Sequence, residues 1–177
     1  MKKKIVVLGF LGTNLDQGGK ARWGRWRPTI SLGQQDDLLV DRFELFYEKN
    51  FLDLAQLVQK DFQQVSPETE FNLREVVLKD PWDFQTVYSG IFDNLKDYKF
   101  DTDNEEYLVH ITTGTHVIQI CLFLLTESRH IPGKLLQTHM QKSRNPNGTY
   151  TIIDLDLSKC DKIAERFHQE QKDGIRF

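Results

Sequence analysis

After its first lysine, the stretch KIVVLGF at residues 4–10 is apolar at every position, not at alternate ones. A strand with two apolar faces must be covered on both, which is the condition of a strand inside a parallel sheet flanked by helices. The rest of the chain supplies the flanking elements. LLVDRFELFY (38–47) alternates enough to be a strand, and FLDLAQLVQKDFQQV (51–65) sets Leu52, Ala55, Leu57, Val58 and Phe62 near helical spacing. EFNLREVVL (70–78) reads as the next strand. DPWDFQTVYSGIFDNL (80–95) opens with Asp80 as a helix cap and Pro81 at the first helical position, and carries Phe84, Val87, Tyr88, Ile91 and Leu95 on one face. EYLVHIT (106–112) is a strand, and residues 115–130 form an almost wholly apolar helix. KLLQTHM (134–140) and YTIIDLDL (150–157) are strands around the turn-rich SRNPNGT, and 159–172 is a last helix capped by Ser158.

Strands alternating with helices of this length imply right-handed crossovers. The expected fold is α/β: a Rossmann-like, mostly parallel sheet with helices on both faces and the last strand antiparallel at an edge. The 177 residues are read as one domain over 1–172. Residues 173–177 are read as the start of a linker, because the chain stops on Gly174 and the apolar IRF, as if a further domain followed.

The basic MKKK start and short apolar run mimic a signal peptide. No small-residue cleavage site follows, and the run passes into the loop composition GTNLDQGG. VIQICLFLL is far too short to span a bilayer, so a soluble cytoplasmic protein without a membrane partner is expected. Cys121 and Cys160 lie outside any CxxC pattern, which argues against a disulfide or a zinc site. With a net charge of −3, no global field draws in nucleic acid, and a polyanion site would have to be a local patch.

Two features make such patches. The first is HITTGTH (110–116), where a strand ends and a helix begins. Free N–H groups and the helix dipole favour an anion there, and Gly114 admits a ligand to the backbone. Thr112, Thr113 and Thr115 add hydroxyls, and His116 sits in the first turn. Capping the helix needs only one hydroxyl, so three point to a ligand. GFLGTN (9–14) ends the first strand and opens on the same side of a parallel sheet. It brings Phe10, Leu11, Gly12, Thr13 and Asn14, but lacks the full dinucleotide fingerprint.

The second feature is KARWGRWRPT (20–29). Lys20, Arg22, Arg25 and Arg27 carry no adjacent acid and alternate with Trp23 and Trp26. Guanidinium groups clamp phosphates and indoles stack on bases, worth roughly 1–3 kcal/mol per base. The plainer reading buries one tryptophan and pairs the arginines with acids such as Asp36 and Asp37. Catalytic signatures are thin: no nucleophile elbow, no P-loop and no HExxH occur. His130, His139 and His168 stand alone. Binding is favoured over chemistry, with no metal and no cofactor.

GFLGT, RWGRWRPT, DPWDF, YLVHITTGTH and TIIDLDLS, in this order, resemble the amino-terminal CARF domain of the RtcR family. These are bacterial transcriptional activators of an RNA-repair operon that encodes an RNA ligase and an RNA end-cyclase. The resemblance covers essentially the whole chain. It implies a dimeric sensor domain that binds cyclic oligoadenylates or related RNA across the dimer. Its contacts come from the loop after the first strand, matched by Gly12 and Thr13, and from a TGGT-like turn after the fourth, matched by Thr113, Gly114 and Thr115. Thr113 replaces one glycine of that turn, and His116 stands where many members carry Lys or Arg, a departure from the pattern of oligoadenylate binders. The resemblance further implies AAA+ and DNA-binding domains in the full-length protein, as in sigma-54-dependent enhancer-binding activators. The expected function is therefore sensing of an RNA ligand: an end with a cyclic phosphate, a tRNA fragment or an oligoadenylate. Two alternatives stay open, a ring nuclease cleaving cyclic oligoadenylate and a purely structural dimerisation module.

Overall fold

A computed structural model describes residues 1–141 and 145–154. Their strands are β1 (Lys4–Phe10), β2 (Arg42–Tyr47), β3 (Glu70–Glu75), β4 (Glu105–His110), β5 (Gly133–Gln141) and β6 (Asn145–Ile153). The helices are α1 (Pro28–Gly33), α2 (Leu52–Val65), α3 (Phe84–Leu95) and α4 (His116–Glu127). The strands form one sheet in the order β3-β2-β1-β4-β5-β6. Neighbours from β3 to β5 run parallel, and β6 pairs antiparallel with β5. The Rossmann-like sheet read from the sequence is therefore present.

Successive residues of the inner strands serve opposite layers. Val7, Phe43, Leu45, Leu108 and Leu136 pack under α1 and α2, with Ile30, Leu32, Ala55, Val58 and Phe62. Leu8, Phe46, Val109 and Leu135 pack under α3 and α4, with Val87, Ile91, Cys121, Leu122 and Leu125. This is why β1 is apolar throughout: Val6, Val7 and Leu8 are all buried at the centre of the sheet. Chain order reverses between β1 and β4, and the loops that leave these strands bound the crevice where such sheets take ligands.

Several boundaries differ from the expected ones. The stretch 11–35 is not all loop, since it holds a short 3-10 segment at Gly19–Gly24 and then α1. Pro28 sits at the first position of α1, and Thr29, Ile30, Ser31 and Leu32 are buried. Strand β2 starts at Arg42, not at 38, although Leu38 and Val40 still join the core. Strand β3 stops at Glu75, and Val76 and Leu78 turn into the opposite layer. Helix α3 is capped by Asp83, not Asp80, because the Asp83 carboxylate accepts from the Thr86 N–H (2.9 Å) and hydroxyl (2.7 Å). Asp80 takes the Trp82 N–H instead, at 2.9 Å. Helix α4 spans 116–127, shorter than 115–130, with Thr115 as its cap.

The segment read as turn-rich before the last strand is largely strand, since β6 begins at Asn145. Gly148 makes this possible. It adopts φ 73° where a Cβ would meet the His139 carbonyl and the Trp26 indole nitrogen. The strand end at 155–157, the helix at 159–172, its Ser158 cap and the linker at 173–177 lie outside the described residues. No helix among the described residues is long and apolar enough to cross a membrane.

His110 closes β4 and is fully buried, its Nε2 3.0 Å from the Thr138 hydroxyl on β5. Burial holds its pKa down at about 3, so the ring is neutral in the folded protein. An unfolded histidine titrates near 6.5, so below that pH the denatured chain takes up a proton that the native state refuses. Stability should therefore fall by about 1.4 kcal/mol per pH unit from roughly 6.5 downward on account of this residue alone. Thermal unfolding followed by circular dichroism between pH 7 and 5 should show a shallower decline in His110→Gln than in the parent. Equal slopes would remove His110 from the acid response.

Candidate functional site

The loop after β1 folds tightly onto a buried carboxylate. The Gly12 N–H donates to Asp16 Oδ2 at 2.8 Å, and the Asp16 N–H returns to the Gly12 carbonyl at 2.8 Å. Asp16 also accepts from the Thr29 N–H (3.0 Å) and the Thr29 hydroxyl (2.7 Å), which ties the loop to the first turn of α1. Burial pushes the Asp16 carboxyl above its ordinary value, against the opposing pull of the Thr29 and Gly12 donors and the Arg27 charge. There is no space for a side chain at residue 12. A Cβ there would lie 2.9 Å from both Asp16 Oδ2 and Thr113 Cγ2.

The loop after β4 lies against this one at the same end of the sheet. The Thr113 hydroxyl donates to the Phe10 carbonyl at 2.6 Å and thereby joins the two strand ends. The Thr112 hydroxyl oxygen accepts the Thr138 N–H at 2.8 Å. Thr115 caps α4 by accepting the Ile118 N–H (3.2 Å), and its hydroxyl donates to the Pro81 carbonyl (3.0 Å). Gly114 adopts φ 92°, a conformation that favours glycine, and a Cβ there would be 3.0 Å from the Ile118 side chain. The Gln119 amide spans the turn from below, donating to the carbonyls of Thr112 (3.3 Å) and Gly114 (3.2 Å). Only Thr115 caps the helix, and the Thr112 and Thr113 hydroxyls have other partners within the chain, so their number does not by itself point to a ligand.

The candidate residues divide accordingly. Phe10 and Leu11 are buried, and the Phe10 ring stacks on Phe46, so their side chains serve the core. Thr113 is buried as well. Thr13, Thr112, Gly114 and Thr115 are half-buried around the mouth, and Asn14 and His116 are exposed.

The basic loop is arranged differently from the expected row of phosphate clamps. Arg27 is 2% exposed, and its Nη1 lies 2.8 Å from Asp61 Oδ2 on α2. Arg22 Nε meets the same oxygen at 2.6 Å. Burial would raise the Asp61 carboxyl, but the two arginines outweigh it and hold the group below its ordinary value. The arginines therefore pair with an acid on α2, not with Asp36 or Asp37, and Arg27 is sealed from any ligand. Trp23 lies over the Arg27 guanidinium at 5.0 Å and is partly exposed. Trp26 is half-buried against Gly148 of β6. Arg25 is exposed and stays available.

Sequence reasoning missed three participants. Asp16 organises the first loop, Gln119 braces the second, and Trp82 stands at the rim with its ring 5.5 Å from that of His116. For Trp82 the signal was present in DPWDF, which reads as a helix start and conceals an exposed indole. Among the described residues no group of three or more His, Cys, Asp or Glu side chains could hold a metal ion.

Comparison with known proteins gives this arrangement a context. Residues 3–177 match a family model described as RtcR, regulator of RNA terminal phosphate cyclase. The transcriptional regulatory protein RtcR of Escherichia coli (strain K12) is 45% identical over 180 residues, covering 99% of this chain and 34% of that protein. The chain thus spans about a third of the curated relative. Among solved structures, Enterococcus italicus Csm6 bound to cyclic hexa-2′-fluoro-hexa-dAMP aligns with a TM-score of 0.69 at 14% identity, over 92% of this chain and 45% of that one. Can2 from Sulfobacillus thermosulfidooxidans in complex with cyclic tetra-adenylate aligns with a TM-score of 0.50 at 14% identity, over 85% and 37%. These likenesses concern the fold, which is of the CARF type. Matched by the family model along nearly its full length, and by a bacterial relative at 45% identity, the chain belongs to the RtcR family of regulators.

Proposed function

We propose that this chain is the ligand-sensing domain of a transcriptional activator of RNA repair. It takes an RNA ligand at the loops after β1 and β4: an end bearing a cyclic phosphate, a tRNA fragment or an oligoadenylate. Occupancy then controls an AAA+ ATPase in the full-length protein. The observation that carries the reading is the junction of the two loops at the chain reversal, fixed by the Thr113 hydroxyl on the Phe10 carbonyl at 2.6 Å. Family membership supports the regulatory role, and the cyclic oligonucleotides bound to the Csm6 and Can2 structures support the ligand class. Binding without turnover is part of this reading, supported by the Thr113 and Thr115 hydroxyls, which donate to carbonyls within the chain. Incubating the protein with oligoadenylates and with cleaved tRNA should give saturable binding and unchanged RNA on a denaturing gel. Turnover would make it an enzyme, and absence of binding would leave only a structural module.

Arg25 is the phosphate contact of the basic loop in this reading, since Arg22 and Arg27 are held by Asp61. Arg25→Ala should weaken RNA binding and reduce the slope of log affinity against log salt by about one. Titrations at several salt concentrations check this, and an unchanged slope would clear Arg25 of a phosphate contact.

The domain acts as a homodimer through α3 and α4. Helix α4 buries one side and leaves Ile120, Phe123 and Leu124 in solvent, while Phe84 and Phe92 are exposed along α3. Such a face suits a second copy of the same surface across a two-fold axis. Light scattering should give twice the chain mass for the parent and the single mass for Ile120→Glu combined with Phe123→Glu. A monomeric parent at high micromolar concentration would overturn the dimer.

A further inference from the structure

We propose that Trp82, with His116 beside it, is a stacking platform for one unpaired nucleobase of the RNA ligand, an inference that rests on the function proposed above. Trp82 is 63% exposed, on the connection between β3 and α3. Leaving so large an apolar ring in water is unfavourable in proportion to its area. The backbone under the ring is nonetheless pinned on both sides. The Trp82 N–H donates to Asp80 Oδ1 at 2.9 Å, and the Asp83 N–H donates to the Asp80 carbonyl at 3.2 Å. The Pro81 carbonyl accepts the Thr115 hydroxyl at 3.0 Å, so the backbone that leads into Trp82 is fastened to the turn after β4. The Asp83 cap then fixes the start of α3.

The backbone that carries the ring is therefore fixed while the ring itself is largely exposed, beside the candidate site. Among the described residues, its aromatic neighbour there is the exposed His116 ring, at 5.5 Å and tilted by 52°. Two planar groups at the rim of a crevice that takes an oligonucleotide match the flat faces of a base. Stacking of this kind accepts any of the four bases, so it adds affinity without sequence preference. Trp82 precedes the first turn of α3 with its ring beside that of His116 at the turn after β4, and the base is assigned as its occupant on that placement.

The test measures fluorescence anisotropy with two labelled probes, cyclic tetra-adenylate and a single-stranded RNA hexamer ending in a 2′,3′-cyclic phosphate. For whichever probe the parent binds, Trp82→Ala should lose roughly 5- to 150-fold in affinity, as expected for one stacked base. Trp82→Phe should retain most of it. Scanning abasic positions along that probe should find one whose removal weakens the parent by the same factor and leaves Trp82→Ala unaffected, because both changes delete the same contact. Circular dichroism and light scattering should be unchanged, since the ring is exposed. Parent-like binding by Trp82→Ala, or a loss accompanied by dissociation of the dimer, would overturn the platform while leaving the sensor reading intact. A parent that binds neither probe would overturn both.

Discussion

The buried Asp16 carboxylate is the constraint on which the ligand end of this domain depends. It has no solvent to satisfy it and relies on three donors, one from Gly12 and two from Thr29. Removing them would leave an unpaired carboxylate in the interior, so the loop after β1 and the start of α1 have little freedom to move apart. A second buried acid, Asp61, anchors the intervening residues through Arg22 and Arg27. Two carboxylates thus give definite form to a segment of more than twenty residues that contributes no strand to the sheet.

This has an electrostatic consequence for the site. The stretch richest in positive charge in the sequence spends part of that charge on its own architecture. What reaches solvent is Arg25, Lys20, part of Arg22 and the partly open face of Trp23. The loops after β1 and β4 present backbone and threonine hydroxyls bonded within the chain, with Trp82 and His116 beside them. A chain of net charge −3 exerts little attraction on polyanions at a distance, so in the proposed reading shape and planar groups would carry recognition.

The architecture was legible because buried parallel strands announce themselves as continuous apolar runs, and because their alternation with amphipathic stretches leaves few topologies. Helix α1 was not legible from periodicity, since six residues make less than two turns and its buried Thr29 and Ser31 look polar. Its proline start and glycine end were the available signals. The cap of α3 was misplaced by three residues because DPWD offers two aspartates, and only the Thr86 contacts decide between them. Within the site, the sequence located both loops but could not show that their hydroxyls were engaged. The partners of Thr113, Thr115 and Thr112 are Phe10, Pro81 and Thr138, each more than twenty residues away along the chain. The same distance hid Asp61 from the arginines it binds, 34 and 39 residues earlier.

The bond from Thr113 to the Phe10 carbonyl links positions 103 residues apart and turns two loops into a single mechanical part. A displacement applied to either strand end is transmitted to the other, and through the Thr115 cap to the first turn of α4. Because Thr115 also holds the Pro81 carbonyl, the connection into α3 is drawn along with them. The crevice and the two helices beneath its rim thus share few independent degrees of freedom. In the reading proposed above, a ligand seated between the loops would press on parts bonded to the starts of α3 and α4, the helices that carry the exposed apolar face.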